Sequence, residues 1–133
     1  MELKNKSLFK EECYIGGKWI KSINNEKIGV DNPASQETIG FVPKCGIKET
    51  KISIEEANLA FNNWKNKTAK ERSNILKKWQ DLILENIDDL AHIMTIEQGK
   101  PLAEAKGEIL LGTSYIEFYA EEAKRVYGDI IPD

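Results

Sequence analysis

The sequence predicts an α+β chain, with short N-terminal β-hairpins followed by a four-helix segment. Three observations carry that reading. Up to about residue 50, turn residues interrupt short runs of β-favouring residues. From there to the end, apolar residues recur at helical spacing. Gly99 and Pro101 stand where one helix stops and another starts. Glycine takes the left-handed conformation of a helix C′ position at no steric cost, and proline is tolerated in a first turn, where no amide donor is needed.

The elements follow in order. Cys13-Tyr14-Ile15 and Lys18-Trp19-Ile20 flank Gly16-Gly17, a dipeptide suited to the positive φ angles of a two-residue hairpin turn. Asn24-Asn25 marks a second turn before Lys27-Ile28-Gly29-Val30. A third turn spans residues 31–36, and Thr38-Ile39-Gly40-Phe41-Val42 is a strand stopped by Pro43. Ser53 and Glu56 have capping-box spacing and open the first helix, with Ala57, Ala60, Phe61 and Trp64 on its apolar face. Thr68 and Glu71 repeat the box, and Ile75, Leu76, Trp79, Leu82 and Ile83 form the next buried face. Asn86 with Asp89 opens a third helix, whose face is Ile87, Leu90, Ala91 and Met94 and which Gly99 closes. The fourth helix is expected from about Pro101 to Tyr127, ended by Gly128 and Pro132. It carries two stripes: Ala105, Ile109, Gly112, Ile116, Ala120 and Ala123 on one side, Leu111, Tyr115 and Phe118 on another. The shorter helices can cover one side; nothing in the sequence covers the other.

Composition bounds the function. With 133 residues, 41% hydrophobic and 31% charged, the chain reads as one soluble globular domain with a modest core. The 19 basic and 22 acidic residues are interleaved, for a net charge of −3, so no basic patch for nucleic acid emerges. No apolar run is long enough to span a membrane, and the polar N-terminus has no secretory h-region. Cys13 and Cys45 read as two free, reduced thiols of a cytoplasmic protein, although the sequence leaves a disulfide between them open.

Candidate chemistries reduce to structural readings. His92 is the single histidine, so neither a typical zinc site nor a catalytic triad can be completed around it. Gly99-Lys100 fails as a phosphate loop, because Met94 stands where a glycine is required and Pro101 where a Ser or Thr is required. Glu104 and Glu108 lie on one helical face, where i,i+4 contacts with Lys100 and Lys106 are expected. Neither cysteine has an identifiable activating base. No catalytic and no cofactor-binding residue is assigned.

The wording of several segments adds a resemblance. Tyr14-Ile15-Gly16-Gly17-Lys18-Trp19, Asn32-Pro33-Ala34-Ser35-Gln36-Glu37, Thr68-Ala69-Lys70-Glu71-Arg72, residues 97–109, Phe118-Tyr119-Ala120-Glu121-Glu122 and residues 127–132 occur in one order. Together they resemble the N-terminal portion of NAD(P)-dependent aldehyde dehydrogenases, most of all the succinate-semialdehyde dehydrogenase branch. The likeness covers residues 8–133 and implies the α/β fold of that family. Residues 1–133 would then be the N-terminal part of its cofactor-binding domain, without the catalytic segments and most oligomerisation segments.

The resemblance implies a parent enzyme that oxidises a small-molecule aldehyde, succinate semialdehyde to succinate, with NAD or NADP. In that family a cysteine attacks the aldehyde and a glutamate activates water, but those motifs lie downstream of every segment matched here. No cofactor is expected to bind this chain alone, and the chain alone is expected to be inactive. By the same resemblance, Leu111 and Tyr115 fall on the helix lining the substrate entrance. Val30, Asp31 and Glu97 fall near a monovalent-cation site of some relatives, with Asp31 at a place that is often apolar. Expected partners are a missing C-terminal segment or a paralogue, with no nucleic acid and no membrane. An alternative is a stand-alone helical interaction module that binds a full-length paralogue through the uncovered face of the fourth helix.

Overall fold

The computed structural model describes residues 2–129 and 131. Ile130, within the matching segment 127–132, and Pro132, the expected helix stop, lie outside the described residues. Two hairpins precede four helices: β1 (Cys13–Ile15), β2 (Lys18–Ile20), β3 (Lys27–Asp31), β4 (Thr38–Pro43), α1 (Ile47–Trp64), α2 (Ala69–Glu85), α3 (Ile87–Gln98) and α4 (Leu102–Glu122). A 3-10 turn, Lys6–Leu8, comes before them.

β1 and β2 pair antiparallel with Tyr14 opposite Trp19, joined by Gly16 at φ +58° and Gly17 at φ +77°. Both angles are left-handed, as a two-residue hairpin requires. β3 and β4 form a second antiparallel pair, whose register shifts between Val30 and Asp31. Its turn is built by Asn32. The side-chain oxygen accepts the Ala34 amide at 2.9 Å, and the carbonyl accepts the Gln36 amide at 2.7 Å.

α1 begins six residues before the expected Ser53 cap. Gly46 is the N-cap, and the Glu49 carboxylate accepts its amide at 2.9 Å. The same carboxylate accepts the Ile23 amide at 2.7 Å, so the earlier start is fastened to the chain after β2. α2 starts as expected: Thr68 Oγ1 accepts the Glu71 amide at 3.2 Å, and Glu71 Oε2 accepts the Thr68 amide at 2.7 Å. Asn86 is the N-cap residue of α3, but its side chain makes no cap hydrogen bond and donates back to the Leu82 carbonyl at 2.8 Å. Gly99, at φ +77°, closes α3, and Pro101 serves as the N-cap of α4 rather than as its first turn.

α4 stops at Glu122, short of Tyr127. Its last bonds tighten, with Lys124 donating to Glu121 at 3.1 Å and Arg125 to Glu122 at 2.9 Å. Val126 and Tyr127, beyond that end, are exposed. A helix end without tertiary contacts frays, because packing supplies most helical stability.

α4 lies against both α2 and α3. The seam is made of small residues: Ala91, Ala105 and Ala120 are buried, with Ser73 and Thr113 beside them. Lys77 on α2 reaches Glu121 on α4 at 2.5 Å, and Lys106 on α4 reaches Asp88 on α3 at 2.6 Å. Lys100 pairs with Glu108, so Lys100 and Lys106 do not make the expected i,i+4 contacts. The N-terminus is held at α3, where Asp89 accepts the Lys4 and Asn5 amides at 3.1 and 2.7 Å.

The predicted apolar faces are present but only partly covered. On α1, Phe61 is 55% exposed and Trp64 is also exposed. On α2, Trp79 is 54% exposed, with Ile75 and Leu82 also open, while Leu76 and Ile83 are half-buried. α1 packs on β1, with Ala57 and Ala60 lining the cleft between them, and Ala57, Ala60, Phe61 and Trp64 all remain exposed. No helix among the described residues is long and apolar enough to cross a membrane.

Candidate functional site

α2, α3 and α4 enclose a groove of about 720 Å³. Its walls are apolar: Trp79 and Ile83 from α2, Leu90, Ile93 and Met94 from α3, Ile109 and Ile116 from α4. Glu97 lies at its rim, in the last turn of α3, and is exposed.

Leu111 and Tyr115 do not line this groove. At 100° per residue they point to the side of α4 away from Ile109 and Ile116. They are 58% and 59% exposed, and Phe118, Tyr119 and Leu110 are open as well. The Phe118 and Tyr119 rings meet edge to face, with centroids 5.3 Å apart. α4 therefore has one face in the helical layer and one wide apolar face outward, a combination that marks an interaction surface.

Val30, half-buried, stands opposite Gly40 in the second hairpin. The adjacent Asp31 accepts the Thr38 hydroxyl at 2.7 Å. The turn that follows packs on the break between α3 and α4, close enough that a Cβ on Gly99 would lie 2.9 Å from Pro33 Cγ. Asp31 and Glu97 thus sit on neighbouring segments. Among the described residues no hydrogen bond joins them, and no group of three or more His, Cys, Asp or Glu could hold a metal ion.

The carboxylates with perturbed acidity are structural. Hydrogen bonds from Lys77 and then Lys124 hold Glu121 down to about 2. The Lys106 and Lys4 ammonium groups lower Asp88, and the Ile23 and Gly46 amides lower Glu49. Each is fixed in its charged form, which suits a tie between elements and not a proton-transfer group. His92 is half-buried on α3.

The sequence reading missed one pairing. Cys13 and Cys45, 32 residues apart, have their sulfurs 3.7 Å from each other. Desolvation, followed by the Cys13 hydrogen bond and nearby negative charge, raises the Cys45 pKa. No local spacing signals this contact, which depends on how the loop after β4 folds back to β1.

The described residues do not by themselves fit a dinucleotide. Both sheets are two-stranded and antiparallel, with no parallel βαβ unit and no glycine-rich turn from a strand into a helix among these residues.

The order of the hairpins, the Gly99 break and the long α4 match a known architecture. The sequence profile of the aldehyde dehydrogenase family covers residues 19–133. The chain belongs to the aldehyde dehydrogenase family. It is 54% identical over 132 residues to a glutarate-semialdehyde dehydrogenase of Pseudomonas aeruginosa, covering 99% of this chain and 27% of the relative. It is 55% identical to a succinate semialdehyde dehydrogenase of Acinetobacter baylyi, with the same coverage. A crystal structure described as an E. coli NADP dependent enzyme superposes with a TM-score of 0.98 at 51% identity, over 99% of this chain and 27% of that one. This aldehyde dehydrogenase chain thus spans about a quarter of the length of the relatives it matches, and corresponds to their N-terminal part.

Proposed function

We propose that residues 1–133 are the N-terminal part of the cofactor-binding domain in an NAD(P)-dependent enzyme that oxidises a small semialdehyde, succinate semialdehyde to succinate. The observation carrying this reading is the identity of 54–55% with semialdehyde dehydrogenases across 99% of the chain. In the complete reaction the aldehyde carbon becomes a carboxylate, water supplies the second oxygen, and the dinucleotide, when bound, supplies the hydride acceptor.

The role of this chain is scaffolding. The small-residue seam between α2, α3 and α4 fixes the direction of α4, and α4 presents Leu111 and Tyr115 outward as one wall of the substrate entrance. Those two side chains shape access and do no chemistry. Val30, Asp31 and Glu97 would supply oxygens near a monovalent cation, Val30 through its carbonyl. The nucleophile, the base and the dinucleotide contacts belong to segments outside residues 1–133.

Absorbance at 340 nm with succinate semialdehyde and NAD or NADP tests both halves of the reading. The 133-residue chain alone is expected to give no turnover, and turnover by it would refute the assignment of the chemistry elsewhere. The enzyme assembled from this chain and the remaining three-quarters of a semialdehyde dehydrogenase is expected to be active. Failure to oxidise either succinate or glutarate semialdehyde would refute the substrate class.

The open face of α4 supports a second reading, a stand-alone module that docks on a full-length paralogue. Gel filtration with circular dichroism separates the two. A compact monomer that also binds a full-length paralogue favours the module; a chain that binds none favours the enzyme portion.

A further inference from the structure

The cysteines are brought together by a fixed device. Cys13 lies in β1, paired across the hairpin with Ile20. Three residues after Ile20, the Ile23 amide donates to Glu49 Oε1 at 2.7 Å. The other oxygen of that carboxylate accepts the amide of Gly46, the neighbour of Cys45, at 2.9 Å. The loop is tied again where the Lys44 amide donates to the Glu26 carbonyl at 2.9 Å. One carboxylate therefore clamps the segment after β2 to the start of α1, and the two sulfurs face each other at 3.7 Å across the clamp. Cys45 is exposed and Cys13 half-buried, so a small reagent reaches Cys45 first.

We propose that Cys13 and Cys45 are a modification site, a dithiol that a small-molecule disulfide converts to an intramolecular Cys13–Cys45 disulfide. The Cys45 thiolate attacks one sulfur of the reagent. A mixed disulfide forms, one reagent thiol leaves, and the proton lost by Cys45 goes to solvent or to that thiolate. Cys13 then attacks Cys45 Sγ, expelling the second reagent thiol. Two protein thiols are oxidised and one reagent disulfide is reduced to two thiols. The sulfurs must close from 3.7 Å to about 2.05 Å. The bond fastens the first hairpin to the N-terminus of α1, a link distinct from the carbonyl chemistry proposed above.

The test treats the whole chain with oxidised glutathione and follows intact mass and non-reducing peptide maps. The expected product is a monomer lighter by about 2 Da in which the peptides of Cys13 and Cys45 are joined. Closure is expected at least about tenfold faster in buffer than in concentrated guanidinium chloride, because the fold holds the thiols together. It is also expected to accelerate with rising pH, as the Cys45 thiol is held above its ordinary range. Cys13→Ser should stop at one glutathione on Cys45. Glu49→Gln should slow closure without abolishing it. Equal rates in buffer and denaturant, disulfide-linked dimers, or a persistent mixed disulfide in the unsubstituted chain would each overturn the proposal.

Discussion

Replacing Gly99 with alanine tests the reasoning about the α3–α4 break. Gly99 sits at φ +77°, and a Cβ there would meet Pro33 Cγ at 2.9 Å. A left-handed backbone costs an L-residue about 1–2 kcal/mol. Crowding a ring carbon adds about 1–3 kcal/mol. The lower entropy of an unfolded alanine chain returns about 0.4–1 kcal/mol. The net loss is about 1–5 kcal/mol, which at about 2 kcal/mol per molar lowers the urea midpoint by about 0.5–2.5 M. Gly107→Ala is the control. It lies inside α4, and its new methyl would have no neighbouring side chain within 4 Å, so it should gain about 0.5–1 kcal/mol. Far-UV circular dichroism against urea reads both. A Gly99→Ala midpoint within about 0.3 M of the unsubstituted chain, or a shift of the same sign for both variants, would refute the argument.

Thr68→Ala removes the reciprocal cap of α2 and should cost about 1 kcal/mol in the same urea titration. Asp89→Ala deprives the Lys4 and Asn5 amides of their acceptor; hydrogen exchange at those two amides should quicken by about tenfold while the α2 amides hold. Acid should loosen the fold in a defined window. Glu49, Glu71, Asp88 and Glu121 are all held below their ordinary values, so their contribution is complete above about 4.5 and is lost as pH falls toward the folded values, about 2 for Glu121. Thermal melts between those limits should show the midpoint falling with pH. Added salt should reduce the share from the exposed Asp88 and Glu121 and spare that of the enclosed Glu49.

What the sequence made legible was chemistry internal to a few neighbouring residues. Gly16-Gly17, the Thr68–Glu71 box and the Gly99 stop are each decided by local backbone geometry, and each stands where the spacing placed it. Ser53 and Glu56 satisfy the same capping pattern, yet α1 starts earlier because Glu49 has a distant second partner in Ile23. Spacing cannot weigh such a contact. The period of Ala57, Ala60, Phe61 and Trp64 correctly marks an apolar helix face. It says nothing about how far another element covers that face, and here all four residues stay exposed. The family resemblance was readable because it rests on ordered wording. The approach of Cys13 to Cys45 was not, because it depends on a carboxylate 4 residues beyond the second cysteine.

The seam of Ala91, Ala105, Ala120, Ser73 and Thr113 has a thermodynamic consequence. Small side chains let helix backbones approach closely and define a crossing sharply, but each removes little apolar area from water. Orientation and cohesion are therefore separated in this layer: the seam lets the backbones approach closely, while many large apolar side chains on α1, α2 and α4 stay exposed. Any chain that covers those side chains binds the ordered layer and not the unfolded one, so it raises the melting midpoint by mass action. The stability of these residues is then a property of their concentration and company, and a single midpoint measured on them in isolation describes only the uncovered layer.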